Sequence, residues 1–335
     1  MKFAFIIDPI AQLDPGHDTS VALMEAAQML GHEVYITEVQ QLSVVQGEAW
    51  ALLSPVSLTP VELVGERWMT SKSWYEQGHG TLQPLTTMDG VFMRKDPPVT
   101  VPYLYTTQIL DLIDPNKTRV LNHPRGLQAA NEKLYALNFP SVIPETIVSQ
   151  AKSVILDFVA QKGAAVLKPL GGKGGEGILF LEAGDRNLNS LIEVSTKWGQ
   201  EPVMVQQYLP AAREGDKRII LLDGQPIGAV NRIPTGQEFR GNMAVGGRVA
   251  KAEITERDRE ICATVAPSLK ADGLYFVGLD VIGGYLTEVN VTSPTGVREI
   301  DRLDGVSLGK QVIDWLAHRR EAPHCTNVSV GMKDG

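Results

Sequence analysis

Hydrophobic positions in this chain fall in short blocks whose period changes from block to block. Residues 3–7 form a continuous apolar run of strand length. From Asp18, the spacing of Val21, Met24, Ala27 and Leu30 predicts a helix closed by Gly31. Residues 34–39 return to strand, so the β-α-β order predicts a parallel sheet and an α/β class, with residues 90–93 and 119–121 as further strands. Between residues 40 and 87 the period is poor, and Trp50, Trp68, Trp74 and Tyr75 there read as surface for a contact between domains or subunits. A helix is expected to open at Asn131-Glu132-Lys133-Leu134. Strands are expected at 146–148, 165–168 and 203–209, with a helix near 154–159. Residues 218–222 and 226–232 read as a hairpin around Asp223-Gly224, followed by helices at 256–269 and 308–318.

The stretch GLDVIGGYLTEVNVTSPTG, residues 278–296, carries the densest chemistry. Strand-forming residues flank Gly283-Gly284, whose freedom at φ > 0 suits a hairpin turn. With an odd, three-residue loop, Asp280 stands opposite Glu288 on one face and Asn290 follows at period two; a two-residue loop would separate the acids. Two carboxylates and an amide make an oxygen-only ligand set, suited to Mg²⁺ or Mn²⁺ holding substrate phosphates. Ser293, Pro294 and Thr295 read as a cap with proline at the first helical position, opening a helix through Val297, Ile300 and Leu303 whose free N–H groups can hold an anion.

Lys168 ends a buried-looking strand, an uncommon place for an unpaired lysine. It is followed by GGKGGEG, with five glycines in seven residues, whose N–H groups can wrap phosphate oxygens. This is not the P-loop pattern, nor does residues 8–20 carry the closely spaced glycines of a dinucleotide fingerprint, which argues against NAD. A net charge of −8 gives no general attraction for nucleic acid or anionic membrane. Cys262 and Cys325 are too few for a disulfide framework, and no long uncharged apolar run suggests a signal or a span, so a cytoplasmic enzyme is expected. At 335 residues, two or three domains are expected.

FVGLD followed by LTEVNVTSPTGVREI closely resembles the C-terminal signature of prokaryotic glutathione synthetases, which belong to the ATP-grasp superfamily of carboxylate–amine ligases. MRKDPP, NEKL, LKPLGGKGG, GDKR and RGNMAVGGR match in the same order, up to about Leu316. The resemblance implies a Rossmann-like N-terminal substrate domain over 1–125, an ATP-grasp lid subdomain over 126–205, a catalytic subdomain over 206–319 and a disordered tail over 320–335. It assigns Lys133, Lys168, Gly174, Gly175, Gln206, Gln207, Tyr208, Leu209 and Asp216 to ATP. Arg94, Arg218, Arg232 and the Ser293-Pro294-Thr295 segment go to the amino substrates. Arg232, Arg240 and Lys168 are expected at the reacting groups, and Asp280, Glu288 and Asn290 on the metal.

The implied reaction is ligation of γ-glutamylcysteine to glycine with ATP, through an acyl phosphate. It needs no protein nucleophile, and no convincing Ser/His/Asp or Cys/His arrangement is visible. An acyl phosphate must be shielded from water, a task that fits the glycine loop and the irregular segment 234–248 as mobile covers. Homotetramers among related bacterial enzymes imply the same assembly here. Two other readings stay open: a related ligase with a different acid or peptide, and a regulatory module that binds nucleotide without chemistry.

Overall fold

The computed structural model describes residues 1–172, 174–235 and 248–318. The predicted β-α-β start is present as β1 (Lys2–Ile6), α1 (Thr19–Met29) and β2 (Glu33–Thr37), with β1 and β2 parallel. Asp18 caps α1 by accepting from the Ser20 and Val21 N–H groups, which fixes the loop before it.

Next come β3 (Leu42–Val45), β4 (Glu48–Leu58), β5 (Glu62–Val64), β6 (Arg67–Met69), β7 (Tyr75–Gln77) and β8 (Thr81–Pro84). Where a segment of poor period carrying aromatic contact surface was expected, β4 pairs antiparallel with β2, β3, β7 and β8, and extends the first sheet. Its alternation runs over Ala49, Ala51 and Leu53, then changes phase at Ser54 and resumes with Val56 and Leu58 buried, so no single period spans the strand. The flanking strands are too short for a period to stand out. Trp74 is buried, and Trp68 donates to the Arg298 carbonyl, so these aromatics pack within the chain.

β9 (Gly90–Met93), α2 (Val101–Leu110), β10 (Arg119–Leu121) and α3 (Pro124–Ala129) complete this part. The parallel strands run in the order β10-β9-β1-β2. The carboxyl ends of β1 and β9 lie side by side, where Lys95 pairs with Asp8 at 2.7 Å.

A four-stranded antiparallel sheet follows, built from β11 (Thr146–Ser149), α4 (Lys152–Lys162), β12 (Ala164–Pro169), β13 (Leu179–Glu182), α5 (Leu188–Ser195) and β14 (Val203–Gln207), in the order β11-β14-β12-β13. It has its own core around Ile155, Leu167, Ile192 and Val205. A five-stranded antiparallel sheet comprises β15 (Asp216–Leu222), β16 (Gln225–Ile233), β17 (Arg248–Lys251), β18 (Phe276–Ile282) and β19 (Tyr285–Asn290), in the order β17-β16-β15-β18-β19. The helices α6 (Glu256–Ala271), α7 (Val297–Asp304) and α8 (Leu308–His318) pack with it, and α8 also lies on α1. Buried Asn122 ties the first and third sheets together. Its amide donates to the Phe276 and Val291 carbonyls at 2.9 Å and accepts from the Tyr275 and Phe276 N–H groups at 2.8 Å. Among the described residues no helix is long and apolar enough to cross a membrane.

Two local expectations are corrected. Helix α7 starts at Val297 from Gly296 at φ 119, and Ser293 is not its cap; the Ser293 hydroxyl instead donates to the Arg94 carbonyl. At Asn131-Glu132-Lys133 the chain makes a side-chain-capped turn, with the Asn131 amide oxygen accepting from the Lys133 and Leu134 N–H groups, before a short 3₁₀ helix at Leu134–Asn138.

Candidate active site

The β18–β19 hairpin places its acids as parity demanded, by a different route. Ile282 pairs with Tyr285, so the turn is the two residues Gly283-Gly284, both at positive φ. The register then shifts by one residue beyond Val281, which inserts Thr287 as a bulge and brings Asp280 opposite Glu288 and Gly278 opposite Asn290. The Thr287 hydroxyl donates to the Asp280 carbonyl at 3.2 Å, and its own carbonyl accepts from Lys168 Nζ at 3.4 Å.

Two carboxylates facing each other across a ladder repel, so the pair needs countercharge. Arg218 stands opposite Asp280 on β15 and grips it through Nε at 2.5 Å and Nη2 at 3.0 Å. Arg232 Nη2 reaches the same carboxylate at 3.0 Å and Asp216 at 2.5 Å. Asp280, Arg218 and Arg232 are only 4%, 6% and 5% exposed. Burial alone would raise the Asp280 carboxyl pKa, but the two guanidinium groups outweigh it and hold the group below the usual carboxylate range. For Asp216, burial prevails and pushes the pKa up. Glu288 is met by Lys133 Nζ at 3.1 Å, which also donates to the Gly172 carbonyl at 3.0 Å and so ties the glycine loop to the hairpin.

Two connected recesses meet at Asp280 and Glu288. One is a slot lined by Lys168, Gln206, Gln207, Tyr208, Leu209 and Asp216, with Val166, Ile178 and Ile282 as apolar walls. Lys168, at the end of β12, donates to the Gln206 amide oxygen at 2.7 Å, and burial lowers its pKa against the opposing pull of Glu288. The Gln207 and Tyr208 N–H groups are engaged by the Glu145 and Ala164 carbonyls. The other recess is an open cleft of ≈ 640 Å³, lined by Lys133, Gly174, Gly175, Arg218, Arg232 and Asn290 together with Ser293, Pro294 and Thr295. Gly174 and Gly175 take φ of 60 and 82, which a side chain there would resist.

Arg94 is not among the residues lining the cleft. It is buried behind the wall, with Nε donating to the Ser20 hydroxyl at 3.1 Å and Nη2 to the Pro294 carbonyl at 3.0 Å. Arg240 and Lys173 lie outside the described residues, as do most of the 234–248 cover and the 320–335 tail. Among the cleft-lining residues to which sequence reasoning gave no role are Glu132 and His17. Glu132 accepts from the Val291 and Thr292 N–H groups and the Thr292 hydroxyl, and His17 contacts Glu299. Glu132 lay within the quoted NEKL motif, and the position of His17 just before the Asp18 cap was the available signal for the other.

Asp280, Glu288 and Asn290 line one cavity and offer two carboxylates and an amide oxygen, a donor set that fits a hard divalent cation. Two sequence-family models span the chain: the prokaryotic glutathione synthetase N-terminal domain over residues 1–128 and the prokaryotic glutathione synthetase ATP-grasp domain over residues 132–305. The chain belongs to the prokaryotic glutathione synthetase family. Among curated members of the family, glutathione synthetase of Thermosynechococcus vestitus is 69% identical over 316 residues, covering 94% of this chain and 99% of the relative. Glutathione synthetase of Brucella melitensis is 41% identical over 320 residues, covering 96% and 99%. The family's fold is shared by more distant structures. The ATP-grasp ligase PsnB bound to a minimal precursor aligns with TM-score 0.62 at 19% identity over 94% of this chain and 97% of that one. D-cycloserine synthetase DcsG aligns at 0.60 with 15% identity over 93% and 100%. The expected ATP-grasp architecture is therefore present.

Proposed function

We propose that this chain is a glutathione synthetase that joins γ-glutamylcysteine to glycine, with ATP converted to ADP and phosphate. The observation that carries the reading is the meeting of a lysine-bearing slot and an arginine-bearing cleft at one carboxylate pair. A nucleotide in the slot would lie with its base between Val166, Ile178 and Ile282, beside the segment from Gln206 to Leu209. Its phosphates would extend past Lys168 toward Lys133 and the N–H groups of Gly174 and Gly175. Asp280, Glu288 and Asn290 would hold Mg²⁺, which supplies charge neutralisation on the phosphate oxygens.

In the cleft the acceptor's carboxylate oxygen attacks the γ-phosphorus and ADP leaves, giving an acyl phosphate. The glycine amine, having lost a proton to solvent, attacks the acyl carbon, and inorganic phosphate departs with the C–O bonding pair. The protein's part is positioning and electrostatics. Arg218 and Arg232 stand beside the transferring group, prealigned by Asp280 and Asp216. The Ser293-Pro294-Thr295 wall, braced from behind by Arg94, shapes the acceptor's seat. Arg240 and the rest of 234–248 complete the cover in this reading, and the chain works in the cytoplasm as a tetramer. The division into a substrate domain at 1–125, a lid at 126–205 and a catalytic part at 206–319 follows the same scheme.

Phosphate release measured with ATP, Mg²⁺, γ-glutamylcysteine and glycine, omitting each in turn, tests the proposal. Sustained release is expected only with the full set. Release that ignores both amino substrates would reject the ligase.

A further inference from the structure

His17 stands on the cleft wall with its backbone fixed on both sides. Its N–H donates to the Asp14 carbonyl at 3.0 Å, Gly16 N–H donates to the Asp14 carboxylate at 3.0 Å, and Asp18 is committed to capping α1. Imidazole Nδ1 meets Glu299 Oε1 in the first turn of α7. That turn is itself anchored: Arg298 pairs with Glu25 at 2.7 Å, donates to the Pro15 carbonyl at 3.1 Å and lies over the Trp68 ring at 5.4 Å. The ring is thus aimed by a buried carboxylate, while its side chain stays 44% exposed and lines the cavity it shares with Arg218 and Ser293.

The other cations of the cleft wall are engaged. Among the described residues, Arg218 and Arg232 bind Asp280 and Asp216, Lys133 binds Glu288, and nearby Lys95 binds Asp8. His17 Nε2 has no hydrogen-bond partner among the described residues. A donor held in place without a partner, on the wall of a cleft for an anionic peptide, is poised for a ligand carboxylate.

We propose that His17 is an acceptor-binding residue, its Nδ1 held by Glu299 and its Nε2 presented to a carboxylate of the acceptor peptide, one not being phosphorylated. This rests on the ligase reading and adds a pH-dependent specificity contact to it. The Glu299 hydrogen bond raises the His17 pKa above its ordinary value against the lowering effect of burial, with the charges of Glu299, Asp14 and Asp18 adding to the rise. The cavity is also lined by the bases Lys133, Arg218 and Arg232 and by the acids Asp96, Glu132, Glu176, Asp280 and Glu288. The Glu299 contact favours the cationic form, which is lost as pH rises through the raised pKa.

Steady-state kinetics of the full-length enzyme against γ-glutamylcysteine and against an analogue lacking the α-carboxylate test this, with ATP saturating and Mg²⁺ present. His17→Gln should raise KM for γ-glutamylcysteine about tenfold or more, while kcat and KM for ATP stay within about twofold. The analogue should bind wild type and His17→Gln alike. His17→Lys should restore a low KM and remove the rise of KM with pH, and Glu299→Gln should move that rise to lower pH. An active wild type whose KM and pH profile are unaltered by His17→Gln would overturn the proposal for His17 while leaving the ligase intact. A wild type without substrate-dependent phosphate release would overturn the ligase reading and this contact with it. A parallel loss in kcat and KM for ATP would make His17 a structural residue and reject the contact.

Discussion

Replacing Asp280 by Asn keeps the shape of the side chain and removes one charge from between two buried arginines. In the structure Arg232 retains Asp216 at 2.5 Å after the change, whereas Arg218 is left with the Thr295 carbonyl at 3.2 Å as its remaining protein partner among the described residues. The cost is therefore dominated by one orphaned guanidinium. Two unit charges about 4 Å apart interact by about 4 kcal/mol at an effective dielectric of about 20. Removing one partner of a buried pair typically costs about 3–5 kcal/mol. We expect a loss near the lower end, about 3 kcal/mol, because Arg232 stays paired.

Urea unfolding followed by far-ultraviolet circular dichroism reads this loss as a fall in midpoint at unchanged slope. The decisive comparison is the double variant Asp280→Asn with Arg218→Met, which removes the orphan and should regain most of the loss. The pH dependence has a fixed sign. The folded pKa of Asp280 is depressed, so its contribution is complete above the unfolded value of about 3.9 and is lost progressively as pH falls from there through the depressed folded value. The gap between wild type and Asp280→Asn should accordingly narrow in acid. A single variant within about 1 kcal/mol of wild type, or a double variant no better than the single, would refute the orphaned-charge argument.

Glu288→Gln should leave the fold intact and cut turnover about 10²–10³-fold, with a higher Mg²⁺ requirement; wild-type turnover at limiting Mg²⁺ would remove Glu288 from the metal site. Arg94→Ala should lower stability by about 2–4 kcal/mol, since it loses two buried hydrogen bonds and its packing on Phe276. It should also raise KM for the dipeptide more than for ATP, and the reverse order would place Arg94 behind the wrong substrate. Asp301, which joins α7 to α8 by accepting from Leu308 N–H at 2.8 Å, is raised by burial to about 6. Because the folded value is the higher one, its contribution to stability is complete below about pH 4 and is lost as pH rises toward 6. Asp301→Asn should flatten the stability profile across that window, and an unchanged profile in calorimetry would contradict the assignment.

Much of the fold could be read from local periodicity. The apolar run at the start, the helix behind the Asp18 cap, and the hairpin with opposed acids each depend on residues a few positions apart. So does the run of glycines after Lys168. The extension of the first sheet by β3, β4, β7 and β8 escaped that reading because its register is set by a long central strand meeting short partners, and short strands carry no detectable period.

The sequence by itself determined that Asp280 and Glu288 share a hairpin, that Lys168 ends a buried strand beside a phosphate-sized loop, and that the motifs occur in the family's order. Tertiary structure decided which charges neutralise which. The Thr287 bulge, not the turn, sets the facing of the acids. Arg218 and Arg232 come to Asp280 from neighbouring strands, Arg94 turns inward behind Pro294, and His17 meets Glu299 from the far end of the chain. Side-chain alternation is a property of one strand and travels with the sequence. Charge pairing is a property of proximity in a low-dielectric interior, and proximity between distant segments exists only once the sheets have packed.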